Sequence, residues 1–351
     1  VFDLVKLFKD VFHPESGERV VIIRDEPHST IPDNPLWADR RVMAEEWRET
    51  LNAHATGLDI EVAPLVTFPA VGAHNGDLPL DKGSPSLLRE VLEGATIGLA
   101  LTEFSPTASM VAWAKEHDDF RCATLPQVAR RMEETALAAD YVEVARRCLI
   151  LKGVLDGADS AEVHFSTGHK WYVDLRENAA LMDDGQLPRG RAGGSVINLP
   201  SGESFQVPLE GNGSLTQGEI PVREGDEDVV YVVEENRIVD VRGGPAAGRT
   251  RSYFGEDPAR GNIAEFAFGC NPLAVVWDNV LEDEKAGFHW AFGRSEHLGG
   301  EIGPDAFLSP KTIVHQDIVY ARESPIQVTS VVLSGQGRQT EVIASGDYVV
   351  F

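Results

Sequence analysis

The chain has 351 residues, a hydrophobic fraction of 42% and a formal charge of -25. That length exceeds what one ordinary core serves and sets an expectation of two domains. An acidic balance without a basic cluster to track phosphates excludes nucleic acid and anionic membrane surfaces as natural partners.

The first part of the chain alternates between strand and helix patterns. Residues 20–24 (Val-Val-Ile-Ile-Arg) form a β-branched run ending in the turn-like Asp-Glu-Pro-His. Residues 35–53 show helical spacing through Leu36, Val42, Met43, Trp47 and Leu51. A second strand is expected over 60–68. A helix is expected over 84–92, opened by Ser84 as N-cap with Pro85 at the first helical position. Residues 95–101 read as a buried strand, the segment around 110–115 as a helix, and 122–125 as a last short strand before 127–132. A long helical stretch then covers 136–155 and ends at Asp156-Gly157-Ala158. This alternation argues for an α/β domain with a mostly parallel sheet covered by helices, spanning 1–158.

Beyond that point the pattern changes. Residues 161–165 and 170–175 are short alternating segments, and glycines multiply between Gly185 and Gly213. Residues 228–233 and 237–241 read as a hairpin through Glu234-Glu235-Asn236. A β-rich, barrel-like second domain over 159–351 is expected. No internal repeat or low-complexity tract interrupts either part.

Cys122, Cys148 and Cys270 are widely spaced and include no Cys-x-x-Cys, so neither a disulfide framework nor a thiolate zinc site is indicated. No apolar run approaches the ~18 residues of a spanning helix, and the first residues carry no signal-peptide pattern. A cytoplasmic location is expected by elimination. Serine chemistry and nucleotide use have no motif behind them: there is no Gly-x-Ser-x-Gly, no Gly-x-x-x-x-Gly-Lys and no dinucleotide fingerprint.

The chemistry-bearing residues gather in the last part of the chain. Glu203 follows Pro200-Ser201-Gly202, and Glu265 sits in Ile-Ala-Glu-Phe-Ala-Phe-Gly. Glu284 and His289 occur in Glu-Lys-Ala-Gly-Phe-His-Trp-Ala-Phe-Gly, and His315 and Asp317 in Val-His-Gln-Asp-Ile-Val. The bland alternatives are an exposed loop glutamate at Glu203, a buried ion pair at Glu265, a backbone-satisfied core histidine at His289 and a solvated His–Asp pair at 315 and 317. Two features weigh against them. His315 and Asp317 lie two apart in a β-branched run, so a strand would turn both to one face. Glu265 is flanked by apolar residues, and an unpaired buried carboxylate costs several kcal/mol. Oxygen donors with imidazoles are the ligand mixture that zinc, manganese, cobalt or iron accepts.

The order of these blocks resembles the M29-type metallo-aminopeptidases, often called aminopeptidase T or thermophilic metalloproteases. That family carries an Asn-x-Pro-Thr-x-Glu-x-Phe segment, a Glu before an apolar run, a Glu-x-x-x-x-His-x-Ala-x-Gly segment and a C-terminal His-x-Asp. Here the blocks fall at 198–205, at Glu265, at 284–293 and at His315 with Asp317. The resemblance implies two divalent ions (Zn, Co or Mn) held by Glu203, Glu265, Glu284, His289, His315 and Asp317. The apolar flanks of Glu265 imply deep burial and make it the bridging candidate, with Glu203 or Glu284 as the catalytic base. The resemblance also implies an α/β N-terminal domain, a β-rich C-terminal domain, a homodimer and a peptide substrate. Where that family places a Tyr near the metals, this chain has Glu296 followed by His297, which become further candidates for ligand or proton donor. Ring-cleaving dioxygenases acting on dihydroxypyridines are similar to this family in fold and in the His-x-Asp segment. They imply the alternative of one non-haem Fe(II) and a small aromatic diol. A third reading is a metal-stabilised binding protein on the same scaffold.

Overall fold

The computed structural model describes residues 2–80, 87–191 and 194–351. The chain forms two compact units, one of Val1–Ala145 with Asp183–Ser201 and Asn271–Lys285, the other of Arg146–Met182, Gly202–Cys270 and Ala286–Phe351.

The first unit is built on a six-stranded parallel sheet. Its strands run in the order Ile60–Val62, Glu18–Glu26, Ile97–Ala100, Arg121–Thr124 and Val196–Asn198, with Val66–Pro69 pairing further along Glu18–Glu26. The uninterrupted run Val20, Val21, Ile22 and Ile23 is buried on both faces of this sheet, the pattern a sheet covered on both sides requires. Each of those side chains contributes roughly 1.5–3 kcal/mol on burial. The helix Pro35–Leu58 starts where Asn34 accepts from the Trp37 N–H at 2.9 Å, with Pro35 in the first turn, and stops at Asp59 in the left-handed region.

Three expectations differ in detail from the structure. The strand expected over 60–68 is two short strands, because Pro64 has no N–H to continue a ladder. The helix expected over 136–155 is Tyr141–Asp156, preceded by a 3₁₀ turn at Ala136–Ala138. Ala139 is extended, and the Asp140 carboxylate accepts from the Val142 N–H, which restarts the chain as a helix. The expected helix start at Ser84 and Pro85 lies outside the described residues; the helix there is Leu88–Leu92. Among the described residues no helix is long and apolar enough to cross a membrane.

The second unit holds two antiparallel sheets. An eight-stranded sheet runs from Arg237–Gly243 through Glu227–Glu234, Gln217–Glu224, Lys170–Asp174, Ser160–Phe165, Val328–Gly335 and Arg338–Ala344 to Asp347–Tyr348. The Glu227–Glu234 and Arg237–Gly243 hairpin turns through Glu235 and Asn236, both at positive φ. In the five-stranded sheet, His315–Tyr320, Phe288–Gly293, Ile263–Gly269 and Glu203–Gln206 are successive neighbours. The sheets meet through aromatics: Trp171 lies against Phe266 at 5.9 Å and Trp290 at 5.8 Å, and Tyr231 against Trp290 at 6.0 Å. Edge-to-face contacts of this kind add about 0.5–1.5 kcal/mol each beyond area burial.

Candidate metal centre

The aromatic layer uses one face of the five-stranded sheet and leaves the other to polar chemistry. Residues paired across an antiparallel ladder point to the same side. Glu265 pairs with Ala291, which pairs with Asp317; Ala267 pairs with His289; Gly293 pairs with His315; Gly269 pairs with Glu203. One face therefore carries Glu203, Glu265, His289, His315 and Asp317 together. The alternate positions Phe266, Phe268, Phe288, Trp290 and Phe292 fill the core. Between the polar groups the same face has Ala267, Gly269, Ala291 and Gly293, whose small side chains leave room for the donors to converge. The period-two repeat in Phe-His-Trp-Ala-Phe-Gly is thus ligand or small residue on one side and aromatic on the other.

The donor atoms form two groups that share one carboxylate. Glu203, Glu265 and His289 present one group, and Glu265, His315 and Asp317 the other, with the donor atoms of each group within 4.8 Å of one another. His289 Nε2 stands 3.3 Å from Glu203 Oε2 and 3.9 Å from Glu265 Oε1. His315 Nε2 stands 3.2 Å from Glu265 Oε2 and 3.6 Å from Asp317 Oδ1. Both rings are anchored at the far nitrogen by main-chain carbonyls. His289 Nδ1 donates to Gly287 O at 3.2 Å, and His315 Nδ1 to Arg294 O at 2.7 Å. That arrangement presents Nε2 of each ring to the carboxylates, as a metal-binding imidazole is presented.

Electrostatics reinforces the geometry. Burial pulls the His289 pKa down, but Glu203, Glu265 and Asp317 outweigh it and raise it to about 9. His315 behaves the same way, with Asp317 and Glu265 lifting it to about 11 against burial. Burial pushes the Glu265 carboxyl above the ordinary range, with Asp317 and Glu203 adding to the rise against the imidazoles. Asp317 is also penalised by burial, yet His315 holds it below the usual carboxylate value. Cations are what this cluster attracts.

A divalent ion fits these residues on an observation of their own. His289 is completely buried and its Nε2 has no well-directed hydrogen bond, although it faces carboxylate oxygens. A buried ring nitrogen left in that state costs about 1–3 kcal/mol, a cost that a metal ion bound in place of its proton would remove. The nitrogen and oxygen donors suit zinc, manganese, cobalt or ferrous iron.

None of the remaining sequence candidates belongs to either donor group. Glu284 follows the short helix Val280–Asp283 in the first unit and pairs with Lys285 at 2.5 Å. It belongs to neither donor group. Glu296 is exposed and accepts from Arg294 at 2.6 Å, which holds its carboxyl below the ordinary range. His297 meets His315 edge to face at 4.7 Å, and enclosure together with the neighbouring His315 charge lowers its pKa to about 4. The carbonyls of Gly287 and Arg294 carry no sequence signal, since any residue has one.

No family model and no curated protein sequence matches the chain. Its fold is shared with solved structures. One is 2,5-dihydroxypyridine dioxygenase from Pseudomonas putida KT2440, at 19% identity and a TM-score of 0.62, covering 99% of this chain and 96% of that one. Another is wild-type AmpT from Thermus thermophilus, at 18% identity and a TM-score of 0.58, covering 99% of this chain and 98% of that one. The α/β unit with its parallel sheet and the β-rich unit are thus parts of one known architecture.

Proposed function

We propose that the chain is a metal-dependent hydrolase of the aminopeptidase kind, working with two divalent ions. The observation that carries this is the division of Glu265, whose Oε1 faces His289 and whose Oε2 faces His315. One carboxylate with an oxygen toward each donor group is the arrangement a bridging ligand needs. The AmpT structure, of the same fold, supports the peptidase kind. When bound, two such ions supply Lewis acidity and a water of near-neutral pKa.

The chain's own residues do the rest. His289, with Glu203, holds one side of the site, and His315 with Asp317 the other. A glutamate carboxylate receives the proton of the attacking water and delivers it to the leaving amine. Glu203, within the donor group of His289, is the candidate for that role. A Glu203→Gln variant that keeps its metal while losing turnover supports it, and one that keeps turnover overturns it.

A second reading has its own support. Glu265, His315 and Asp317 converge as one imidazole and two carboxylates, a donor set that suits a single Fe(II) with open positions. The dioxygenase structure shares the fold at least as well as AmpT. Metal content per chain, on protein purified without chelator or added metal, separates the two. About two equivalents of zinc, manganese or cobalt support the hydrolase and direct a screen of unblocked peptides. About one equivalent, mainly iron, overturns it in favour of ring cleavage.

A further inference from the structure

The two anchored imidazoles are held by different means. His289 Nδ1 donates to Gly287 O, two residues before it on its own chain segment. His315 Nδ1 donates to Arg294 O, which lies on the loop leading from Gly293 to Ile302. That loop has a latch. The Glu210 carboxylate accepts at Oε1 from the Asn262 side-chain amide and the Ser295 hydroxyl, each at 2.6 Å. Its Oε2 accepts from the Glu301 N–H. Ser295 is fully buried, and its Oγ also accepts from the Ile302 N–H at 3.1 Å. Asn262, also buried, donates to Gly293 O at 3.0 Å and so ties the latch to the strand end that precedes Arg294.

Gly300 shows how closely the latch is fitted. A Cβ there would lie 2.4 Å from Ser295 Oγ and 2.8 Å from Glu210 Oε2. No side chain enters without opening the contact.

We propose that Glu210 is a positioning residue for His315. By holding the 294–301 loop through Ser295 and the Glu301 N–H, it fixes the Arg294 carbonyl that orients the imidazole toward Glu265 and Asp317. This rests on the metal-centre reading, but its geometry exists without metal. It predicts an asymmetry: loss of the latch weakens the His315 side of the site and leaves the His289 side intact. Hydrogen-bonding partners of a ligand imidazole are worth about 10–100-fold in metal affinity.

The test compares the unaltered chain with Glu210→Ala, the milder Glu210→Gln and Gly300→Ala, which keeps the Glu210 charge. In metal-free protein, proton–nitrogen NMR of the imidazoles reads exchange protection of the Nδ1–H of each ring. At least tenfold faster exchange at His315 in all three variants, with His289 unchanged, is the expected result. Unchanged protection at His315, or equal loss at both rings, overturns the inference. Zinc titration against a competing chelator then gives a weaker affinity for one equivalent only, by about 10–100-fold. Equal weakening of both equivalents also overturns it. If the unaltered chain binds no zinc, manganese, cobalt or iron, the proposed function fails while the exchange result still decides the role of Glu210.

Discussion

Each unit buries a carboxylate, and the two are compensated in opposite ways. In the parallel-sheet unit Glu18 is held by Arg121 through two hydrogen bonds of 2.5 and 2.8 Å, and by Arg189 at 2.9 Å. Arg121 in turn donates to the carbonyls of Phe12 and Leu187. Burial works against the Glu18 charge, but the guanidiniums overcome it and hold the carboxyl below its ordinary pKa. In the β-rich unit the ion pairs of Glu265 and Asp317, among the described residues, are with imidazoles alone. A guanidinium is always charged; an imidazole is charged only while a proton stays on it. The first arrangement is closed and structural. The second can exchange its compensating protons for a metal ion.

The largest effect that follows is on metal binding. With the two ions of the proposed function, Glu265→Gln removes the shared carboxylate and is expected to weaken both equivalents by more than about 100-fold. Metal-free stability changes by about 1 kcal/mol or less, since Gln keeps an acceptor for His315 and sheds a charge that burial disfavours. Metal analysis and urea unfolding in chelator measure the two. A loss of metal-free stability comparable to that of Glu18→Gln would make Glu265 another structural ion pair and end the contrast.

Glu18→Gln gives the reverse. It leaves the Arg121 guanidinium buried without its anion, at a cost of about 3–5 kcal/mol, with metal stoichiometry unchanged. The pH dependence follows from the lowered Glu18 pKa. A depressed carboxylate contributes stability that is present above its unfolded pKa and lost as pH falls through the folded one. The stability gap between the native chain and Glu18→Gln is therefore flat at neutral pH and shrinks only below the ordinary carboxylate range. A gap that shrinks on raising the pH instead would contradict the pairing.

Ala291→Leu asks whether the open cluster needs its space. Ala291 lies between Glu265 and Asp317 on the ligand face and is fully buried. The larger side chain is expected to cost about 1–3 kcal/mol by overpacking. It should also exclude metal, as metal analysis would show. Retention of both equivalents in a folded Ala291→Leu protein would mean that the small residues of this face have another purpose.

The contrast also marks what was legible in the sequence. The β-branched run 20–24 announced a strand and the spacing over 35–53 a helix, because both patterns are set within a short stretch of chain. The division of Phe-His-Trp-Ala-Phe-Gly into a ligand face and a core face becomes readable only once Phe288–Gly293 is known to be a strand. Which residues met across the ladder was not local information, since Glu265, Ala291 and Asp317 come together only through pairing register. Val196–Asn198 was hidden for the same reason: it lies beyond a glycine-rich stretch, yet adds a parallel strand beside Arg121–Thr124. Glu210 gave no signal at all, because an acidic residue before Gly211 reads as a solvated turn until Asn262, Ser295 and Glu301 are seen to converge on it.

The smallest effect is the most direct test of proton-for-metal exchange. With pKa values raised to about 9 and 11, His289 and His315 both carry two ring protons at neutral pH in the metal-free protein. A ligand imidazole must be neutral, so binding at both rings releases one proton from each. Calorimetric titration with zinc in two buffers of different ionisation enthalpy reads that release as a difference in heat. The linked consequence is an affinity that rises with pH by about tenfold per unit for each proton released, the His289 share levelling off as pH passes about 9 and the His315 share only near 11. The sign follows from the raised pKa values: proton-held ion pairs stabilise the metal-free state below them and fade above them. Binding without proton release at neutral pH would mean that these imidazoles are already neutral, and that the carboxylates around them are compensated by something other than His289 and His315.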